Sequence, residues 1–99
     1  MNTDELINAV KKWGAEKGID DPKMQMCKLI EELGEMNHEL TRGKFDSPEM
    51  KDAIGDTLVV LIIEANILGY DVIDCLRSAY DEIKERKGKT INGAFVKGV

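Results

Sequence analysis

Two short acidic segments dominate the chemistry that this chain could perform. They are Glu31-Glu32-Leu33-Gly34-Glu35 and Asp52-Ala53-Ile54-Gly55-Asp56. Each spaces acids three or four residues apart, which places them on one face if the segment is helical. Carboxylates brought together repel one another unless a cation neutralises them. The spacing therefore predicts a site for Mg²⁺, with Mn²⁺ as an alternative, because oxygen ligands suit these hard ions.

A metal site of this kind indicates a reaction on phosphate groups. Mg²⁺ held by a few carboxylates keeps coordination positions that substrate phosphates normally fill. The reaction class is then metal-assisted phosphoryl or nucleotidyl transfer to water. We expect the two aspartates to enter the interior, since a wholly apolar helix half follows them. We also expect close helix approach at Gly34 and Gly55, because a helical glycine costs about 1 kcal/mol relative to alanine.

Start and stop signals predict the helices that must position these acids. A side chain that can cap a helix comes before each apolar stretch, and a glycine follows it. The start and stop pairs are Asn2 and Gly18, Asp21-Pro22 and Gly43, Ser47-Pro48 and Gly69, and Asp71 and a stop near Gly88. We predict an all-α, four-helix-type bundle. It forms one domain over residues 1–99, with a core over about 3–87 and an extended C-terminal tail over 88–99.

The predicted third helix implies a partner subunit. Its segment from Leu58 to Ile63 is apolar all round, and a helix of this kind is usually covered on every side. We therefore expect a homodimer or a homotetramer.

Composition and charge indicate which partners and which cellular compartment to expect. The net charge of −5 and the lack of any long basic run argue against nucleic acid as a partner. The apolar run is too short to cross a membrane, and the polar N-terminus does not resemble a signal peptide. Cys27 and Cys75 are interpreted as buried free thiols in a reducing compartment. We expect a soluble, cytoplasmic protein.

The order of these acids resembles a known family. Glu-Glu-x-x-Glu on one helix, followed by Gly55-Asp56 ahead of an apolar run on the next, is similar to the MazG-like all-α nucleoside triphosphate pyrophosphohydrolases. The resemblance covers roughly residues 10–87. It implies Mg²⁺-dependent cleavage of a (d)NTP to a (d)NMP and pyrophosphate by a homo-oligomer. It also implies that Glu32, Glu35 and Asp56 are metal ligands.

One position departs from the family pattern. The family usually has glutamate three residues before the aspartate, where this chain has Ala53. Asp52 lies four residues before Asp56 and is our candidate for the missing ligand. We assign catalysis to Glu31, Glu32, Glu35 and Asp56, and metal binding to Glu32, Glu35, Asp52 and Asp56. Candidates for substrate binding are Trp13, Lys28, Asn66, Arg86, Lys87 and Lys89, although the aromatic ring of Trp13 fits a core position better.

Two alternatives stay open. Glu35 and His38 form a Glu-x-x-His spacing, and a homodimer would supply the two copies that a di-iron carboxylate bundle needs. The missing ligand at Ala53 also leaves room for a catalytically impaired helical module whose acidic face binds a basic partner.

Overall fold

Four α-helices and a short hairpin make up residues 1–98, which are the residues that this computed structural model describes. The elements are α1 (Thr3–Glu16), α2 (Pro22–Thr41), α3 (Pro48–Ile67), α4 (Val72–Ile83), β1 (Gly88–Ile91) and β2 (Ala94–Lys97). The predicted all-α class is confirmed. Val99, the last residue of the predicted domain and tail, lies outside the described residues.

The helices begin where the sequence signals predict. Asp21 Oδ1 accepts hydrogen bonds from the backbone amides of Lys23 and Met24, at 2.9 and 3.2 Å. Asn2, Ser47 and Asp71 cap α1, α3 and α4 in the same way, and Asn2 forms a capping box with Glu5. These side chains satisfy amides that have no partner within the helix, so each start is fixed locally. Gly18, Gly43 and Gly69 follow the first three helices with positive φ.

The C-terminal segment is a hairpin where we predicted an extended tail. The antiparallel strands pair Gly88 with Lys97 and Ile91 with Ala94. Asn92 and Gly93, both with positive φ, form the two-residue turn, which suits the right-handed twist of the strands. A Cβ on Gly88 would lie 2.5 Å from Cζ of Phe95, so the ring covers this glycine. Helix α4 ends at Ile83, before the predicted stop near Gly88.

Helix α3 lies at the centre of the fold and contacts the other three helices. Its contact with α2 is the most extensive. The buried apolar side chains of the described residues are all on α3, namely Met50, Ala53, Val60, Ile63 and Ala65. Ile63 packs against buried Gly14 of α1, where a Cβ would lie 3.0 Å from its Cγ1.

One face of α3 is left uncovered within a single chain. An apolar groove of about 800 Å³ runs between α1, α3 and α4, and Leu6, Leu58, Leu61 and Leu76 are among its exposed lining residues. The radius of gyration of the Cα atoms is 15.9 Å, whereas a compact domain of this length has about 13 Å. One chain thus covers only part of α3, and the predicted covering of the remaining face by a partner subunit stays a prediction.

Three burial predictions are wrong for the single chain. Trp13 is 48% exposed rather than in the core, and Cys27 and Cys75 are both exposed. Cys75 lines the apolar groove. Among the described residues, no helix is both long enough and apolar enough to cross a membrane.

Candidate functional site

The first acidic segment lies in the middle of α2, and its central glutamate points into the protein. Glu32 is 6% exposed, whereas Glu31 and Glu35 are exposed. The ammonium of Lys28 lies 3.3 Å from Glu32 Oε1 and 3.7 Å from Glu31 Oε2. The predicted residues Lys28, Glu31 and Glu32 are therefore brought together.

Their charges perturb one another. The negative charge of Glu32 raises the pKa of Glu35, and partial desolvation, a hydrogen bond with Glu32 and the charge of Glu31 act in the same direction. A hydrogen bond to Glu32 raises the pKa of Lys28, and the charge of Glu31 adds to this effect. The segment is a region of concentrated negative charge that one ammonium group offsets only in part.

Several buried carboxylate oxygens lack hydrogen-bond partners among residues 1–98. They are Glu32 Oε2, Glu39 Oε2 and both carboxylate oxygens of Glu64. Such oxygens are costly to bury and call for a proton or a cation. Glu32 Oε2 belongs to the predicted ligand set, and an oxygen-only set suits Mg²⁺ or Mn²⁺. In chemistry and burial, Glu32 is therefore suited to contribute one carboxylate to a hard-cation site.

The second acidic segment is arranged differently. Asp52 and Asp56 are exposed on α3, so the prediction that they enter the interior is wrong for the single chain. The residue that points inward is Ala53, which is 6% exposed. The predicted close helix approach is also wrong, because a Cβ added at Gly34 or Gly55 would meet no other heavy atom within 4 Å.

One hydrogen bond shows which residues of α2 and α3 lie at the same height along the helix pair. Gln25 Nε2 donates to the carbonyl of Val60 at 3.1 Å, joining the start of α2 to the later part of α3. The short connection between the helices makes them antiparallel. Glu32 is seven residues after Gln25 and Ala53 is seven before Val60, so these two buried residues lie at the same level. The position that holds glutamate in the resembled family therefore lies at the level of Glu32 along the helix pair.

The two segments do not form a closed metal site within one chain. Over the described part of the chain, no group of three or more histidine, cysteine, aspartate or glutamate side chains is placed to hold a metal ion.

Comparison with known proteins identifies the family. The family model described as "MazG nucleotide pyrophosphohydrolase domain" matches residues 20–91, more than half of the chain. The chain belongs to the MazG nucleotide pyrophosphohydrolase family. The matched range contains both acidic segments.

A phage protein is similar to part of the chain. It is described as an "Uncharacterized 18.2 kDa protein in rep-hol intergenic region" of Haemophilus phage HP1 (strain HP1c1), and is 34% identical over 64 residues. The match covers 62% of this chain and 38% of the phage protein, so the chain spans well under half of that relative. No solved structure matches the chain.

The predicted substrate-binding residues of this MazG domain are dispersed. Trp13 is exposed on α1, and exposed Asn66 lines a pocket of about 330 Å³ with Lys11. Arg86 lies 3.2 Å from Glu82, while Lys87 and Lys89 are exposed after α4 and in β1. Within residues 1–98 the hairpin contacts none of the four helices. Among the described residues, Arg86, Lys87 and Lys89 therefore do not join the two acidic segments of their own chain.

Two carboxylates with unpartnered buried oxygens, on Glu64 and half-buried Glu39, were not assigned to the site by the sequence reasoning. Glu64 is 3% exposed and continues the inward-facing spacing of Ala53, Thr57 and Val60 on α3. The spacing of four, three and four residues was the available signal. Glu39 follows Glu32 by seven residues on α2, and this spacing likewise places it on the same face.

His38, the histidine of the di-iron alternative, is exposed near the end of α2. Its Nε2 lies 2.9 Å from a guanidinium nitrogen of Arg42. A cationic group beside that nitrogen opposes metal binding there, so the geometry gives the di-iron alternative no support.

Proposed function

We propose that this chain is a divalent-cation-dependent hydrolase that converts a (d)NTP into a (d)NMP and pyrophosphate. Membership in the MazG family supports the reaction class. The observation that carries the proposal is the unpartnered Oε2 of buried Glu32 in the middle of the acidic segment. A buried carboxylate oxygen without a hydrogen-bond partner is suited to binding a cation.

We assign metal binding to Glu32 and Glu35 of α2 and to Asp52 and Asp56 of α3, with Glu31 assisting. The helix register supports a shared site, since Asp52 and Asp56 lie within about 1.5 and 4.5 Å of the level of Glu32 along the axis. The aspartates must turn inward to meet the glutamates. A bound Mg²⁺ or Mn²⁺ would polarise phosphate oxygens and lower the pKa of a bound water.

The other residues act on the nucleotide. Glu31 and Glu35 are placed at the solvent-facing side of Glu32, where an attacking water could transfer its proton to a carboxylate. Lys28, Arg86, Lys87 and Lys89 would offset phosphate charge. Trp13 would stack on a base, and Asn66 would bond to a base or a ribose.

We also propose that a second copy of the chain covers the apolar groove, as a homodimer or within a homotetramer. The exposed leucines of the groove and the large radius of gyration support this assembly. A second copy would also bring another hairpin, and with it Lys87 and Lys89, within reach of an acidic segment. This soluble assembly would work in the cytoplasm, without nucleic acid or a membrane as partner.

A panel of nucleotides tests the proposed reaction. The protein is incubated with each (d)NTP and Mg²⁺, and the products are separated by anion-exchange chromatography. We expect a nucleoside monophosphate and pyrophosphate in equal amounts, and loss of both with Glu35→Gln. Glu16→Gln, at an exposed glutamate of α1, is the matched control and should retain activity.

Two results would contradict the proposal. If the protein turned over none of the nucleotides, the result would favour the catalytically impaired binding module. The inward-pointing Ala53, which supplies no carboxylate, is the feature that supports this alternative. Iron in the purified protein, with visible absorbance after exposure to air, would favour the di-iron alternative.

A further inference from the structure

Lys28 occupies the space beside the proposed metal ligands. Its ammonium contacts one oxygen of Glu32 and one oxygen of Glu31. The side chain of Lys28 is 49% exposed, whereas that of Glu32 is 7% exposed. The ammonium therefore reaches a fixed, buried carboxylate from the solvent side, which is also the side from which a hydrated cation would approach.

A divalent cation and this ammonium cannot share these oxygens without strong repulsion. At a separation of about 4 Å, like charges near a protein surface repel appreciably even after solvent screening. We propose that Lys28 is an internal counter-ion that competes with the divalent cation for Glu31 and Glu32, and so sets the metal affinity of the site. This inference rests on the proposed function, because it requires the cation to bind there.

The ion pair is suited to displacement. Lysine precedes glutamate by four residues, which is the weaker of the two orientations of such a pair on a helix. The flexible four-carbon stem of Lys28 also lets the ammonium swing into solvent, while the buried carboxylate stays in place. Lys28 therefore neutralises the acidic segment when metal is absent and leaves it when metal binds. It is a positioning residue in this role.

Metal binding without nucleotide tests the inference separately from activity. Mn²⁺ affinity is measured by calorimetry for the full chain and for Lys28→Met, which removes the charge and keeps a good helix former. We expect Lys28→Met to bind Mn²⁺ about three- to tenfold more tightly than the wild type. Lys28→Arg retains a cation and should bind within about twofold of the wild type.

Lys12→Met is the matched control. Lys12 also precedes its partner by four residues, and its ammonium lies 3.9 Å from Glu16 Oε1 on α1, with both side chains exposed. Its loss should leave Mn²⁺ affinity unchanged. Thermal unfolding with and without Mg²⁺ provides a second readout, in which the Mg²⁺-induced rise in Tm should be larger for Lys28→Met than for the wild type and Lys12→Met.

The outcomes separate this inference from the proposed function. Unchanged or weaker Mn²⁺ binding by Lys28→Met, with clear binding by the wild type, would overturn the competition alone. A lack of Mn²⁺ binding by every variant would overturn the metal site and the competition together.

Discussion

The two acidic segments of this chain look alike in sequence and differ in which residue they bury. In the segment on α2, a glutamate points inward and a lysine contacts its carboxylate. In the segment on α3, alanine points inward and both aspartates are exposed. A shift of one residue on a helix rotates a side chain by about 100°. The phase of each helix against its neighbour, rather than the number of acids, therefore decides which carboxylates are buried.

Because of this difference, the two segments have different roles in the proposed site. Glu32 is buried and would form the constant part of the proposed cation site. Asp52 and Asp56 are exposed, and in the proposed site they would complete the ligand set only when a cation draws them in. Variants in both acidic segments test this division.

Removing the buried carboxylate should have the largest effect. We expect Glu32→Gln to lower kcat/KM by at least about 100-fold, since a ligand should matter no less than the groups that orient ligands. Asp52→Asn, which changes an exposed group of the second segment, should lower it by about tenfold. Steady-state kinetics with the best nucleotide measure both. Equal losses would contradict the division between the segments.

A carboxylate at the inward-facing position of α3 should make the two acidic segments alike, because each would then bury a carboxylate. Ala53→Glu buries a second charge beside Glu32, so we expect the metal-free protein to lose about 1–3 kcal/mol of unfolding free energy. Mg²⁺ should restore more stability to this variant than to the wild type. Urea unfolding with and without Mg²⁺ measures both quantities. Ala53→Gln has nearly the same size without the charge and should show no Mg²⁺-dependent recovery.

Glu64 tests whether burial alone explains an inward-pointing carboxylate. It has no cationic partner among the described residues, unlike Glu32. Glu64→Leu should therefore raise the free energy of unfolding by about 1–2 kcal/mol, because two unpartnered oxygens are removed from the interior. Glu64→Gln keeps a polar group and should gain less. Destabilisation by Glu64→Leu would mean that a group outside the described residues bonds this carboxylate.

The smallest effect concerns pH. The charge of Glu32 raises the pKa of Glu35 in the folded protein. The contribution of Glu35 to stability is therefore fully present below its unfolded pKa and is lost as pH rises through the folded value. Glu35→Gln should give a slightly higher Tm than the wild type at pH 7 and no difference below about pH 4. Thermal unfolding across this range measures the effect, and a pH-independent difference would contradict its cause.

The helices could be predicted because their boundaries depend on neighbouring residues. Asp21, Ser47 and Asp71 cap amides two or three residues away, and each contact follows from local spacing. The hairpin also had a local signal in Asn92-Gly93, but its strands span only four residues each and were interpreted as tail. Short strands show too little alternation to be recognised by period alone.

Burial could not be predicted in the same way. Trp13 and Cys27 belong to residue types that are often buried. Whether either side chain is covered depends on which helix packs against it. Glu64 lies within an apolar run and belongs to no recognised motif. Its spacing places it on one face of α3 with Ala53 and Val60, but only the packing of α3 against α2 shows that this face points inward. The helices that carry the two acidic segments could therefore be predicted from the sequence, but the orientations of their side chains could not.

The position of Cys75 provides a chemical reporter of assembly. Its thiol lines the apolar groove, whereas the thiol of Cys27 is exposed on α2. A second copy seated in the groove would shield Cys75 and leave Cys27 accessible. The rate at which a thiol reagent labels Cys75, divided by the rate for Cys27, should then fall as protein concentration rises. Labelling over a series of protein concentrations thus measures the dissociation constant of the assembly, with the reference thiol in the same chain.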